Sequence, residues 1–317
     1  MRIINLFERE LDETPIQELS DSYGDNHIFM KRDDLIPFSF GGNKARKAAE
    51  FYKEIKNSDT DVVMTYGSNS SNHCRIIANM AASMEISCHV ISPEEHREVL
   101  NNTKLVETFG AVVETCPLTK VAETIEHRKE AYRKEGRKPY FITGGGHGNP
   151  GTESYVKAYA EIERQEKSKG IYFDYIFHAS GTGATQAGLV CGQFLSGDRN
   201  RTIVGISIAR NRERGQDVVK NSIREYLTDD FEKLYREDAL VFDDNYCLGG
   251  YGKYTEAVEE TIDFVMKYEG IPMDTTYVGK AFHGMLVYLK EHRIQGKNVL
   301  FLHTGGAPLY FDRLAGK

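Results

Sequence analysis

Residues 174–188 read Asp174-Tyr175-Ile176-Phe177-His178-Ala179-Ser180-Gly181-Thr182-Gly183-Ala184-Thr185-Gln186-Ala187-Gly188. A short apolar run passes directly into two glycines one residue apart, and then into helix-forming residues. This predicts a strand, a glycine loop and a helix start, the arrangement in which free backbone N–H groups and a helix N-terminus hold a phosphate. A dinucleotide fingerprint would need glycine where Gln186 stands and an acid about 20 residues further on. The next apolar run ends instead in Ala209-Arg210. The loop therefore argues against NAD and for a single phosphate on a short Gly/Thr cradle; taken alone, it also reads as a structural tight turn.

Outward from this loop the pattern repeats. Residues 202–209 (TIVGISIA) and 297–303 (KNVLFLH) read as further strands. Upstream, DVVMT (61–65), SCHVI (87–91), AVVET (111–115) and PYFIT (139–143) alternate with helical patterns near 72–84, 94–109 and 118–136. Further helices are expected near 151–168, 184–196, 254–268 and 280–293. This is the rhythm of an α/β chain with open parallel sheets and helices on their faces. No internal repeat or low-complexity tract interrupts it. The segment EHRKEAYRKEGRKPY (126–140) carries six basic and three acidic residues. It reads as the solvated face of a helix ending at Gly136.

Composition narrows the function. The 317 residues suffice for two domains and a substantial core. With 40 basic against 47 acidic residues, the net charge of −7 disfavours a general nucleic-acid binder. No apolar stretch approaches a membrane span, and the N-terminus has no apolar signal core, so a cytoplasmic protein is expected. The five cysteines, Cys74, Cys88, Cys116, Cys191 and Cys247, form no CxxC pair. Neither a disulfide framework nor a structural metal is expected.

Three more glycine-rich places carry chemistry. Gly41-Gly42-Asn43-Lys44 puts a lysine at a loop-to-helix junction. Ala45 fills the Ser/Thr place of a P-loop, which excludes that motif. A Schiff-base lysine remains, as does a lysine-rich start of a surface helix. Gly67-Ser68-Asn69-Ser70-Ser71-Asn72-His73-Cys74-Arg75 follows a strand and opens a helix. It suits a carboxylate, or simple N-capping by Ser71 or Asn72. His73 has no second histidine at ligand spacing, so no metal site is expected there. The fourth place, His303-Thr304-Gly305-Gly306-Ala307-Pro308, ends the last strand. Ligands of open parallel sheets bind beyond the carboxyl ends of strands. One lysine, one phosphate cradle and one carboxylate loop together describe a site for pyridoxal phosphate and a small amino acid.

The motifs GGNKARK, SNHCR, GTGATQAGL, IVGISIAR, GGYG, YVGKAFHG and HTGGAP occur here in the order seen in a known family. From about residue 6 to residue 311 the chain resembles the 1-aminocyclopropane-1-carboxylate deaminase and D-cysteine desulfhydrase family. The resemblance implies the tryptophan-synthase-β-like fold, fold type II of the pyridoxal phosphate enzymes. It implies a small α/β domain over residues 46–153, inserted into a large cofactor-binding domain of residues 1–45 and 154–317. It also implies a homodimer. By the same resemblance, Lys44 would hold the cofactor covalently, and Gly181, Thr182, Gly183, Ala184 and Thr185 would cradle its phosphate. Asn72 would contact the cofactor's phenolic oxygen, and Thr304 would face its pyridine nitrogen. Ser71, Asn72 and His73 would line the substrate carboxylate site, with Tyr251 and Tyr277 flanking the substrate.

Two departures sort the subfamilies. Ring-opening deaminases resemble Tyr-Glu-Gly-Lys where this chain has Tyr277-Val278-Gly279-Lys280, and have leucine where it has Thr304. The missing glutamate removes an acid that would keep the pyridine nitrogen protonated, and the Thr304 hydroxyl is a neutral partner. Val278 is expected of neither subfamily. The loop Gly144–Pro150 is also unusual, with His147 placed to reach the cleft. The expected reaction is α,β-elimination, with D-cysteine as first substrate. Cyclopropane ring opening, L-cysteate sulfo-lysis and a non-catalytic cofactor-binding protein are the alternatives. Lys44 is the expected base, Ser71 lies at the catalytic centre, and Tyr277 assists protonation.

Overall fold

Two parallel sheets organise the molecule, and the four glycine-rich segments emerge at the ends of their strands or beside them. The structure, a computed structural model, describes residues 6–8, 10–20, 25–94 and 99–316. In chain order the elements are β1 (Ile16–Glu18), β2 (His27–Lys31), α1 (Asn43–Lys56), β3 (Val62–Tyr66), α2 (Asn72–Ser83), β4 (Ser87–Pro93) and α3 (Asn101–Thr108). They continue with β5 (Val112–Cys116), α4 (Val121–Lys134), β6 (Pro139–Ile142), α5 (Asn149–Lys169), β7 (Tyr175–Ser180) and α6 (Ala184–Ser196). The last are β8 (Thr202–Ser207), α7 (Arg212–Leu227), α8 (Phe231–Leu234), β9 (Val241–Asp243), α9 (Glu256–Glu269), α10 (Val278–Glu291), β10 (Asn298–Leu302) and α11 (Ala307–Ala315).

One sheet has the strand order β1-β2-β10-β7-β8-β9, parallel except for β1. The other has the order β5-β4-β3-β6 and is parallel throughout. Its strands all lie between residues 62 and 142, as the βαβ rhythm predicts. In the larger sheet, Leu302 pairs with His178 and Ser180 with Ser207. The loops that leave β10 and β7 therefore start at nearly the same level.

The expected elements are present with boundary shifts. The helix anticipated over 94–109 is shorter: β4 runs to Pro93, α3 begins at Asn101, and residues 95–98 lie outside the described part. The charged helix over 118–136 is α4, which buries no residue. Sequence reading missed β1, β2, α7, α8, β9 and α11. In α7 the buried positions are Gly215, Val219, Ser222, Ile223 and Leu227, a narrow stripe among charges. The strands β1 and β9 are three residues long, too short for alternation to register.

The helix α6 is buried on every side over Ala184–Phe194 and packs on α5. Two glycines make that contact possible. A Cβ on Gly188 would lie 2.3 Å from the Thr152 carbonyl, and one on Gly192 would lie 2.5 Å from the Tyr159 Cβ. The lysine-rich helix α1 is not a surface helix. Ala45, Arg46, Lys47, Ala48 and Ala49 are all buried. Arg46 forks onto Asp33 (Nη2–Oδ1 2.8 Å, Nε–Oδ2 2.9 Å) and reaches Glu161 Oε2 at 2.8 Å. Lys31 Nζ meets Glu161 Oε1 at 2.5 Å, and Tyr155 donates to Asp33 at 2.7 Å. Two cations and two anions thus balance inside the fold and fix α1 to β2 and α5, two residues from Lys44.

Candidate active site

The chain enters α1 through Gly41 and Gly42, whose φ values of +62° and +94° lie in the left-handed region. A Cβ on Gly42 would sit 2.4 Å from the Thr304 carbonyl oxygen, so this close pass requires glycine. Across it the Asn43 N–H donates to the Thr304 carbonyl at 3.1 Å. The Asn43 side chain donates from Nδ2 to Thr185 Oγ1 at 3.0 Å and accepts from Lys44 Nζ at 3.1 Å. Asn43 therefore joins Lys44, Thr304 and Thr185, which come from three distant parts of the sequence. Burial brings the pKa of Lys44 down to about 8.

The loop at Gly181–Thr185 has the form of an anion cradle. Gly183 caps α6 with φ +97°, and among the described residues no side chain caps the start of the helix. Those N–H groups have no partner within the helix. Around them stand basic side chains that form no ion pair among the described residues. Lys47 is buried and donates to the Gly145 carbonyl at 3.1 Å, with no ion pair among the described residues. Burial and the Lys44 charge push its pKa well down. Arg210 donates to the Gly181 carbonyl at 2.6 Å. His147 donates from Nδ1 to the Thr182 carbonyl at 3.1 Å, so the unusual 144–150 loop does reach this site. Unsatisfied N–H groups and a buried Lys47 amine without a counter-ion, whose charge a bound anion would favour, fit a phosphate dianion.

The second half of the site belongs to the β3–α2 junction. Ser71 caps α2, its Oγ accepting from the Cys74 N–H at 3.2 Å. Asn72 Oδ1 accepts from Asn102 Nδ2 at 3.1 Å, which leaves the Asn72 Nδ2 available as a donor. The His73 ring turns inward instead. Its Nε2 meets Thr65 Oγ1 at 2.8 Å, and Thr65 donates onward to the Ile142 carbonyl. His73 is therefore a donor at Nε2, and burial with the nearby charges of Lys44 and Lys47 keeps it neutral. What His73 offers the cleft is its backbone N–H in the first turn of α2.

Tyr251 closes the gap between the two sheets. Its Oη lies 2.5 Å from Tyr277 Oη, 3.0 Å from Ser70 Oγ and 3.2 Å from Ser68 Oγ. Burial, then the neighbouring Tyr251, raise the pKa of Tyr277 well above that of a free phenol. Tyr277 precedes α10, whose start is capped by the buried Asp274. The Asp274 carboxylate accepts from the N–H groups of Thr276 (2.9 Å), Tyr277 (2.7 Å) and Val278 (3.2 Å). Burial raises its pKa to about 6. Val278 is fully buried in an apolar cluster with Ile262 and Ala281. Thr304 is buried too.

Asn43, Lys47, Arg210 and Asp274 complete the site and escaped sequence reading as individual residues. Lys47 and Asn43 sit within the GGNKARK motif, but nothing local marks a lysine as buried. Asp274, three residues before Tyr277, carries the spacing of an N-capping acid and was the more legible signal. Among the described residues, no helix is long and apolar enough to cross a membrane, and no group of three His, Cys, Asp or Glu could hold a metal ion.

Comparison with known proteins agrees with this geometry. The family model described as pyridoxal-phosphate dependent enzyme matches residues 8–305, and the chain belongs to that family. It is a pyridoxal phosphate lyase of fold type II, with two parallel-sheet α/β units. The chain is 32% identical over 309 residues to a Pyrococcus abyssi protein provisionally named 1-aminocyclopropane-1-carboxylate deaminase, covering 94% of this chain and 91% of that one. It is 30% identical over 312 residues to the D-cysteine desulfhydrase of Klebsiella pneumoniae, covering 94% and 93%. A crystal structure described as an ACC deaminase homologue superposes with a TM-score of 0.84 at 32% identity, covering 96% and 93%.

Proposed function

We propose that this lyase carries out α,β-elimination on a small β-substituted amino acid, releasing pyruvate and ammonia, with D-cysteine as first substrate and sulfide as leaving group. The observation that carries this reading is the environment of Thr304 and Val278. Position 278 holds a buried aliphatic side chain, and both oxygens of the adjacent Asp274 are engaged by backbone N–H groups. The group offered to the cofactor's pyridine nitrogen would then be the neutral hydroxyl of Thr304. A hydroxyl does not hold a proton on that nitrogen as a carboxylate does, so the electron sink is weaker. Elimination of a thiol asks less of it than ring opening, because the leaving group departs as charge develops.

Bound pyridoxal phosphate supplies the sink for negative charge at the substrate α-carbon. Lys44 would hold the cofactor, Gly181, Thr182, Gly183, Ala184, Thr185 and Lys47 would hold its phosphate, and Asn72 would serve its phenolic oxygen. Ser71 and the first-turn N–H groups of Asn72 and His73 bind the substrate carboxylate. Lys44, with a pKa lowered by burial, takes the α-proton. Tyr277 delivers a proton to the departing group, and Tyr251 packs against it. The domain boundaries at 46 and 153, a homodimer and a cytoplasmic location belong to the same proposal.

The test is pyruvate release from D-cysteine measured against 2-oxobutanoate release from 1-aminocyclopropane-1-carboxylate. A higher kcat/KM for D-cysteine is expected. A higher value for the cyclopropane substrate, which the name of the Pyrococcus abyssi relative favours as second reading, overturns the argument from Thr304 and Val278. Activity on neither directs the test to L-cysteate, and no turnover of any amino acid would favour a non-catalytic cofactor-binding protein.

A further inference from the structure

Lys280 is fully buried and forms no ion pair among the described residues. Its three ammonium protons go to three backbone carbonyls: Gly250 at 2.8 Å, Cys247 at 3.0 Å and Ile208 at 3.2 Å. Two of these carbonyls belong to the loop Cys247-Leu248-Gly249-Gly250-Tyr251-Gly252, and the third lies just beyond β8. Apart from Lys280, the loop is held by a few turn hydrogen bonds and by Leu248 packing on the core. Leu248, Gly249, Gly250 and Gly252 all have positive φ (51°, 88°, 115° and 70°), and a Cβ on Gly250 or Gly252 would meet nothing within 4 Å. Glycines in open space gain conformational freedom without gaining packing. Yet the next side chain in this loop, Tyr251, is held with its Oη 2.5 Å from Tyr277 Oη. Lys280 stands on the first turn of α10, three residues after Tyr277 at its N-cap, so the phenol and the ammonium that bonds the loop bearing its partner share one helix end.

We infer that Lys280 is a positioning residue: it fixes the Gly249–Gly252 loop so that Tyr251 meets Tyr277 across the cleft, and it acts on the reaction only through Tyr251. The inference rests on the reading of Tyr277 and Tyr251 as groups of the active site. Both loop carbonyls also accept a backbone N–H, from Gly250 at 3.0 Å and Lys253 at 3.2 Å. Replacing Lys280 by an apolar side chain therefore orphans neither of them. It removes a buried charge that forms no ion pair and that the Asp274 carboxylate reaches only at longer range, and it takes one donor from the Ile208 carbonyl, a loss the fold should tolerate.

The experiment uses the holoenzyme with Lys280→Met, Tyr251→Phe and the double variant. Amide exchange over residues 247–253 should speed up at least tenfold in Lys280→Met, with α10 and cofactor absorbance unchanged. Its kcat with D-cysteine should fall about as far as that of Tyr251→Phe, and the double variant should fall no further than about threefold below either. Unchanged exchange in the loop would overturn the inference. So would faster exchange with full kcat while Tyr251→Phe is impaired, or losses that multiply in the double variant. If loop exchange rises but Tyr251→Phe retains full kcat, the placement of Tyr251 in the active site is what fails, and the inference built on it falls too.

Discussion

Asn43 donates from Nδ2 to Thr185 Oγ1 at 3.0 Å while its Oδ1 accepts from Lys44 Nζ at 3.1 Å, so the Lys44 amine and the Gly181–Thr185 loop are tied to one carboxamide. The first turn of α1 and the first turn of α6 are thereby coupled, although 142 residues separate the two side chains. Asn43→Ala should misplace the lysine without removing it. Covalent cofactor should still form, with an affinity about tenfold weaker, read by titrating cofactor absorbance. Unchanged affinity would leave this bond without a role in binding.

Lys44 is the next target. Only the neutral amine attacks an aldehyde, and burial lowers its pKa from 10.5 to about 8. The lysine is therefore mostly charged below pH 8 and mostly neutral above it. The rate at which apoprotein captures pyridoxal phosphate should rise about tenfold per pH unit up to pH 8 and then level off. Borohydride should fix the label in the peptide containing Lys44, and Lys44→Ala should retain none. A rate still climbing at pH 10 would mean that the lysine is solvated.

Gly183→Asp probes the cradle. Its φ of +97° disfavours any side chain, a Cβ would lie 3.1 Å from Val218 Cγ1, and a carboxylate there would repel a phosphate. Cofactor affinity should drop by about a hundredfold or more in protein whose circular dichroism is unaltered. Gly183→Ala keeps the crowding without the charge and should lose less.

Tyr277→Phe removes the hydroxyl proposed to serve the leaving group. Positioned acid–base groups contribute about 10²–10⁴-fold. A fall in kcat of at least about a hundredfold is expected, with KM within a few-fold and the cofactor spectrum intact. A loss confined to KM would make Tyr277 a binding residue only.

Glu161→Gln tests the buried ion cluster. Arg46 and Lys31 would both lose a buried counter-charge, and breaking such a pair costs about 3–5 kcal/mol. The melting temperature should fall by about 6 °C or more. Because Arg46 lies on α1, cofactor affinity should weaken as well.

Much of the site was legible in the sequence because glycines advertise backbone geometry. Gly42 and Gly183 mark positions where the chain turns left-handed or passes close to another segment, and such demands are local. The strands β3, β7, β8 and β10 were legible because a buried parallel strand is apolar without interruption. The strands β1 and β9 were not, since three residues carry no period. Gln186, read as a break in the dinucleotide fingerprint, is a buried tie, accepting from Ser180 at 2.9 Å and donating to the Val241 carbonyl at 2.7 Å.

The sequence by itself determined the α/β class, the cofactor family and the glycine-rich segments proposed for the site, because those depend on residue types at fixed local spacing. The tertiary structure alone decided which polar side chains face the cleft and which are spent on the fold. Lys44 and Lys47 are three residues apart in one motif, yet one is half-buried beside Asn43 and the other is enclosed against the Gly145 carbonyl. His73 turned inward to Thr65, while Tyr251 crossed from a glycine loop to Ser68 and Ser70, about 180 residues away in the chain. Burial and long-range hydrogen bonding arise from the packing of distant elements, and no local pattern encodes them.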